Sequence, residues 1–281
     1  MGAMTGKVVI ITGATSGIGE VAAEKLAAMG AGIVVVGRSK ERAEKTLGRL
    51  RKLAPDVPHR AYYADLSLLT DMRRVGAEIA AAEPRIDVLI NNAGALFEKR
   101  RLTRDGMEVT FATNHVSYFV LTKMLQDRLI ASSPARVINT SSEAHRGTKL
   151  DFSDLQATRS YGAFRVYGRS KLCNILFTRE LARQLKGTGV TANCLHPGFV
   201  NTRFADQGNG PLYYFFKVAK KFAITPEKGA ETIVFLASAK DVANISGEYF
   251  YKCRTKLPSK EAQDDDAARR LWQETLKWAG I

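Results

Sequence analysis

One stretch near the start narrows the choice of fold more than any other: Thr12-Gly13-Ala14-Thr15-Ser16-Gly17-Ile18-Gly19. An apolar run, Lys7 to Ile11, precedes it and reads as a buried strand. Behind it Val21, Ala22, Leu26 and Met29 recur at helical spacing until Gly30. Strand, glycine-rich turn, helix is the context in which backbone amides approach a pyrophosphate and a helix N-terminus adds partial positive charge. A tight turn without ligand is the alternative. A Walker loop is excluded, because no Gly-Lys-Ser/Thr follows. The second strand, Gly32 to Val36, ends in Gly37-Arg38-Ser39-Lys40, with no acidic residue until Glu41. An acidic side chain there would take the ribose hydroxyls of NAD, whereas an arginine suits the 2′-phosphate of NADP. Arg38 therefore predicts NADP(H) as the preferred cofactor, with NAD(H) still admissible; an exposed arginine opening the next helix is the competing reading.

The same alternation continues along the chain. A helix over Ser39 to Leu53 is followed by strands at about Arg60 to Ala64, Ile86 to Ile90, Ala135 to Asn139, Val190 to Cys194 and Glu248 to Tyr251. Asp105 and Glu108 are spaced to open a helix. Thr225-Pro226-Glu227 opens another, and a last helix covers about 259–279. About seven strands alternating with helices predict one doubly wound, parallel α/β sheet with helices on both faces and no second domain.

Composition limits the function classes. The 281 residues are 45% hydrophobic, which suits a globular chain, and no apolar run is long enough to cross a bilayer. Cys173, Cys194 and Cys253 lack metal-ligand spacing and read as reduced thiols of a cytosolic protein. The net charge of +14 raises nucleic acid as a partner. The basic residues are nevertheless spread out, without a basic tail or zinc finger, so a solvated surface attracting a polyanionic small molecule is the favoured reading and no nucleic acid is expected.

Two other stretches carry chemistry. Tyr167 and Lys171 stand four residues apart in a helical run, so they share one face about a turn apart. An ammonium beside a phenol favours the ionised form and makes it a proton donor and acceptor; alone, the spacing also fits a solvated helix face. Thr140-Ser141-Ser142 follows a strand and could supply a hydroxyl to a carbonyl oxygen, or be ordinary turn chemistry. Asn114 sits among Phe111, Val116, Phe119 and Leu121 on an apolar helix face, where an amide is costly without partners. Asn91-Asn92-Ala93-Gly94 ends a strand about 75 residues after the glycine turn.

The looser Thr-Gly-x-x-x-Gly-x-Gly spacing, with the Asn-Asn-Ala-Gly strand end, resembles the short-chain dehydrogenase/reductase family and its single Rossmann-type domain. The resemblance implies a catalytic set of Asn114, Ser142, Tyr167 and Lys171, with Ser142 preferred over Ser141 and Asn114 holding a proton-relay water. It implies cofactor contacts from Gly13, Thr15, Ser16, Gly17, Ile18 and Gly19, and from Arg38, Asp65 and Leu66. Asn91, Asn92, Ala93, Gly94, Tyr167 and Lys171 join that set, as do Pro197, Gly198, Val200 and Thr202 of the loop over the nicotinamide. His196 is expected to be a loop residue and not a base.

The interval from Ser142 to Tyr167 is 25 residues, longer than in most of the family. With Asp151-Phe152-Ser153-Asp154-Leu155, His196-Pro197-Gly198 and Ala268-Arg269-Arg270-Leu271-Trp272, it is similar to the retinol dehydrogenase-like branch. Vertebrate members of that branch carry an N-terminal membrane anchor not seen here, so a soluble, cytoplasmic relative is expected, and a possible homodimer follows from the family. The substrate is expected to be a lipophilic aldehyde, ketone or alcohol, covered by an apolar lid at about 206–224. Core packing or peripheral membrane contact are the other readings of that segment. Two rival functions stay open: an NADP(H)-sensing protein without turnover, and a nucleic-acid-binding protein.

Overall fold

Strand and helix alternate as the periodicities predict. A computed structural model describes residues 2–200 and 223–281. Thr202 and residues 206–222 of the expected lid lie outside the described residues. The first half comprises β1 (Val8–Thr12), α1 (Gly17–Ala28), β2 (Gly32–Gly37), α2 (Lys40–Leu53), β3 (Arg60–Tyr63), α3 (Leu69–Ala82) and β4 (Val88–Asn91). Then follow α4 (Val109–Phe111), a π turn (Ala112–Val116), α5 (Ser117–Ala131), β5 (Ala135–Thr140) and a 3-10 turn (Glu143–His145). The last part contains α6 (Ala163–Gln184), β6 (Val190–Leu195), α7 (Pro226–Ser238), β7 (Tyr249–Tyr251), β8 (Arg254–Thr255) and α8 (Asp265–Ala279).

The sheet order is β3-β2-β1-β4-β5-β6-β7-β8. Seven strands run parallel, and chain order reverses between β1 and β4, which opens a crevice at their carboxyl ends. Every residue of β2 and β4 is buried, as expected for strands covered on both faces. Successive β1 residues point to opposite sides: Ile10 joins Met72, Phe119, Leu172 and Trp272, while Val9 and Ile11 join Ala22, Leu26, Leu47 and Ile233. The two cores are those of a doubly wound Rossmann-type fold. Among the described residues, no helix is long and apolar enough to cross a membrane.

Three details depart from the sequence reading. The eighth strand, β8, is antiparallel to β7 and is reached through Lys252 and Cys253, at φ of 50° and 59°. Two successive left-handed residues make a tight hairpin turn, and a Lys-Cys pair gives no signal of it. Asp105 does not open the helix at 108; it accepts from Leu69 N at 2.9 Å and so serves α3. Glu108 is the N-cap instead, accepting from Thr110 N and Phe111 N at 2.8 Å each. The third departure is the π turn, which breaks the expected continuous helix just where Asn114 sits.

Candidate active site

The glycine turn folds against the end of β4. Gly13 has φ 70° and Gly17 φ 60°, which only glycine adopts without strain. A Cβ on Gly13 would stand 2.9 Å from Ala93 Cα, and one on Gly19 would stand 2.5 Å from Asn92 Nδ2. Thr12 joins the two segments: its hydroxyl accepts from Asn92 N at 2.9 Å and Ala93 N at 3.0 Å, and its carbonyl accepts from Asn92 Nδ2 at 3.1 Å. Ser16, the N-cap of α1, makes no side-chain capping bond, whereas Ser39 caps α2 through Arg42 N. The first turn of α1 therefore keeps its N–H groups for something other than its own cap.

That turn forms one end of a cleft of about 920 Å³. Most of the expected site residues line it: Gly13, Thr15, Ser16, Gly17, Ile18, Arg38, Asp65, Leu66, Asn92, Ala93, Gly94, Ser142, Tyr167, Lys171, Pro197, Gly198 and Val200. Gly19, Asn91 and Asn114 do not line it. Gly19 sits behind the turn and lets Asn92 approach. Asn91, expected at the cofactor, instead ties strands together, donating to Thr122 Oγ1 at 3.0 Å and Asn139 Oδ1 at 2.9 Å. Its side chain points into the sheet's packing because the strand alternation puts Asn92, not Asn91, on the crevice side.

At the other end, the 3-10 turn after β5 presents Ser142, whose hydroxyl accepts from Ala144 N at 3.2 Å and shares a hydrogen bond with Tyr167. Ser141 is spent on packing, donating to Lys171 O at 2.8 Å. Burial pushes the Tyr167 phenol up to about 12, while the bond with Ser142 pulls it back down. Burial also lowers Lys171, to about 7. The expected dominance of the lysine over the phenol is thus corrected: both groups are governed first by desolvation. Lys171 Nζ stands 5.6 Å from the Tyr167 ring centroid and donates to Thr140 O at 3.1 Å.

Asn114 lies just behind this end. Its amide oxygen accepts from Ala95 N at 2.8 Å, and its Nδ2 donates to Ala95 O at 2.9 Å and Ser170 Oγ at 3.0 Å. His196 is a loop residue, as expected: Nδ1 accepts from Gly198 N at 3.0 Å, and its ring stacks on Tyr251 at 4.2 Å. Burial lowers its pKa to about 4.

Several residues that sequence reasoning passed over also line the cleft: Arg42, Phe97, Val109, Thr113, Glu143, Phe164 and Phe199. Arg42, four residues after Arg38 and one turn into α2, was within reach of helical spacing. Phe164, one turn before Tyr167 on α6, was within the same reach; Phe97 and Phe199 were not, since they come from separate loops. The long interval between Ser142 and Tyr167 supports this wall: Tyr161 donates to Phe97 O at 2.8 Å, and Arg100 donates to Gln156 O at 3.1 Å.

Comparison with known proteins agrees with this layout. The profile of the short chain dehydrogenase family matches residues 7–210. Retinol dehydrogenase 13 of Homo sapiens is 39% identical over 98% of this chain and 85% of its own length. Retinol dehydrogenase 14 of Mus musculus is 40% identical over 100% of this chain and 88% of its own. A short chain dehydrogenase from Burkholderia cenocepacia, solved in complex with NADP, superposes with a TM-score of 0.71 at 25% identity, covering 88% of this chain and 96% of that one. A phosphate-type turn, a serine and a Tyr-x-x-x-Lys pair on one cleft, with relatives of this kind along nearly the whole sequence, have one reading: the chain belongs to the short-chain dehydrogenase family, in its retinol dehydrogenase-like branch, and is an oxidoreductase of CH–OH and carbonyl groups.

Proposed function

We propose that this oxidoreductase uses NADP(H) to interconvert a lipophilic aldehyde or ketone and its alcohol, with Tyr167 as general acid and base. The observation that carries the reading is one continuous cleft with Arg38 and the glycine turn at one end and Ser142, Tyr167 and Lys171 at the other.

The residues fit a nicotinamide dinucleotide. Side chains at Gly13 and Gly19 would push the turn off the 92–93 loop that closes the cleft beside it, and the N-terminus of α1 has no side-chain cap of its own. Residues 13–19 would hold the pyrophosphate, Asp65 and Leu66 the adenine half, and Arg38 the 2′-phosphate, with Arg42 beside it. Asn92 to Gly94, Lys171, Pro197 to Val200 and Thr202 would hold the nicotinamide half. NAD(H) would fit the same turn; the arginines favour NADP(H). When bound, the cofactor gives or takes the hydride.

The chain's own groups do the rest. Tyr167, held neutral by burial, protonates the carbonyl oxygen in reduction and takes that proton back in oxidation. Ser142 donates to the same oxygen and steadies its developing charge. Lys171 offers positive charge beside the phenol, and Asn114 fixes the 93–95 loop beneath it. Phe97, Val109, Phe164 and Phe199 make an apolar wall suited to a lipophilic substrate, in keeping with relatives named retinol dehydrogenases.

The test is a panel of alcohols and carbonyls, including all-trans-retinal and nonanal, run with NADPH/NADP and NADH/NAD in parallel. NADPH-dependent reduction is expected, and Tyr167→Phe should lose on the order of 10²–10⁴-fold in turnover while still binding NADPH. A Tyr167→Phe enzyme with full turnover defeats the scheme.

A further inference from the structure

Lys171 rests on a carbonyl that a second side chain also holds. The Asn174 amide donates to Thr140 O at 3.2 Å, the oxygen that Lys171 Nζ reaches at 3.1 Å. Asn174 Nδ2 also donates to Asn114 O at 2.9 Å. Both of its N–H protons are therefore spent on main-chain carbonyls, one at the end of β5 and one in the π turn. Asn174 follows Lys171 by three residues, so the two side chains leave the same face of α6.

The arrangement is dry. Asn114 and Asn174 are fully buried, and Lys171 is only 2% exposed. In such a place no water takes up a hydrogen bond that a side chain gives up, so the direction of each carbonyl decides where an amine sits. Lys171 Nζ and the Asn114 side chain both border Gly94: a Cβ there would be 3.4 Å from the one and 3.3 Å from Asn114 Oδ1. Without Asn174, the Asn114 carbonyl would lose this donor and the Thr140 carbonyl would lose one of the two donors that fix it, leaving the oxygen under the lysine freer to turn. Behind the amide, Asn174 Oδ1 faces His115 Nδ1 at 3.4 Å, and His115 Nε2 meets Thr275 Oγ1 of α8 at 2.9 Å. The amide is held from both sides.

We propose that Asn174 is a positioning residue for Lys171: by engaging the Thr140 and Asn114 carbonyls together, it fixes the one oxygen on which the lysine head group rests beside Tyr167. This rests on the reading of Tyr167 and Lys171 given above.

A double-mutant cycle tests it in the full chain, saturated with NADPH and the carbonyl turned over fastest in the panel. Asn174→Leu keeps the volume and removes both donors. It should lower kcat about tenfold and change the Kd for NADPH by less than about threefold. In a Lys171→Met background it should cost less than about twofold, because the group it positions is gone. A merely structural asparagine would cost the same in both backgrounds; equal losses, or an unchanged kcat with Lys171 present, overturn the proposal. If Asn174→Leu does not fold by circular dichroism, Asn174→Ser is read in the same cycle. If neither folds, the residue is structural and the proposal fails. A Tyr167→Phe enzyme with full turnover would instead remove the underlying reading. An inactive Tyr167→Phe alongside equal losses in the cycle would remove only this one.

Discussion

Thr12→Val tests whether the two walls of the cleft are held as one unit. Thr12 is fully buried, and its hydroxyl is the shared acceptor for Asn92 N and Ala93 N. Valine has nearly the same shape and no acceptor, so the substitution leaves two backbone donors without their partner while barely changing packing. An orphaned buried donor costs about 1–3 kcal/mol. Asn92 and Ala93 are half-buried, which puts each near the lower end. The expected loss is about 2–3 kcal/mol by urea unfolding, or a Tm drop of about 3–5 °C for a chain of this size. The glycine turn and the 92–94 loop would also lose their mutual alignment, and about 1.4 kcal/mol of that loss appearing in the cofactor site would weaken NADPH tenfold in a fluorescence titration. Thr12→Ser keeps the acceptor and should stay within about 1 kcal/mol of the original chain. If Thr12→Val unfolds within about 0.5 kcal/mol of wild type and binds NADPH equally well, the hydroxyl does not join the two segments and the reasoning fails.

Arg38→Glu should reverse cofactor preference, since a carboxylate repels a 2′-phosphate and accepts from ribose hydroxyls: kcat/KM with NADPH is expected to fall about a hundredfold, with NADH unchanged or improved, and an unaltered ratio would refute the assignment. Acid should destabilise the fold through His115, which burial lowers from 6.5 to about 4. A neutral histidine in the folded state contributes its full stability above pH 6.5 and loses it as pH falls toward 4, while the unfolded chain protonates first. Between pH 7.5 and 5 the loss is about 2 kcal/mol, at about 1.4 kcal/mol per pH unit, and His115→Gln should flatten that slope in urea melts; equal slopes would count against it.

Much of the fold was readable because parallel strands covered on both faces appear as unbroken apolar runs. Gly32 to Val36 and Val88 to Ile90 are such runs, and each intervening helix has a clear apolar stripe. The glycine turn was readable for a different reason, since its positive φ angles and close approaches admit little but glycine. Features made by side chains that meet only in space were not readable. Thr12 looks like any strand-end threonine until Asn92 and Ala93 are placed against it. Asp105 looks like a cap for its own helix and caps α3 instead. Asn91 and Asn92 are equivalent in the sequence, and strand alternation sends one into the packing and the other toward the crevice.

The Tyr167–Lys171 pair shows where a spacing argument stops. Four residues on a helix put an ammonium near a phenol, and in water that alone would set the direction of the phenol's shift. Here the helix face is covered: Tyr167 is 9% exposed and Lys171 is 2% exposed. Desolvation disfavours the charged form of each, so it raises the phenol and lowers the amine at once. The pair then has little charge to exchange until something in the cleft stabilises it. Ser142 already pulls the phenol downward through its hydrogen bond, and Thr140 O accepts from the amine. Proton transfer in this arrangement is therefore set by the polar groups that ring the pair as much as by its spacing. Those groups, Ser142, Thr140 and the asparagines behind them, come from three different segments of the chain.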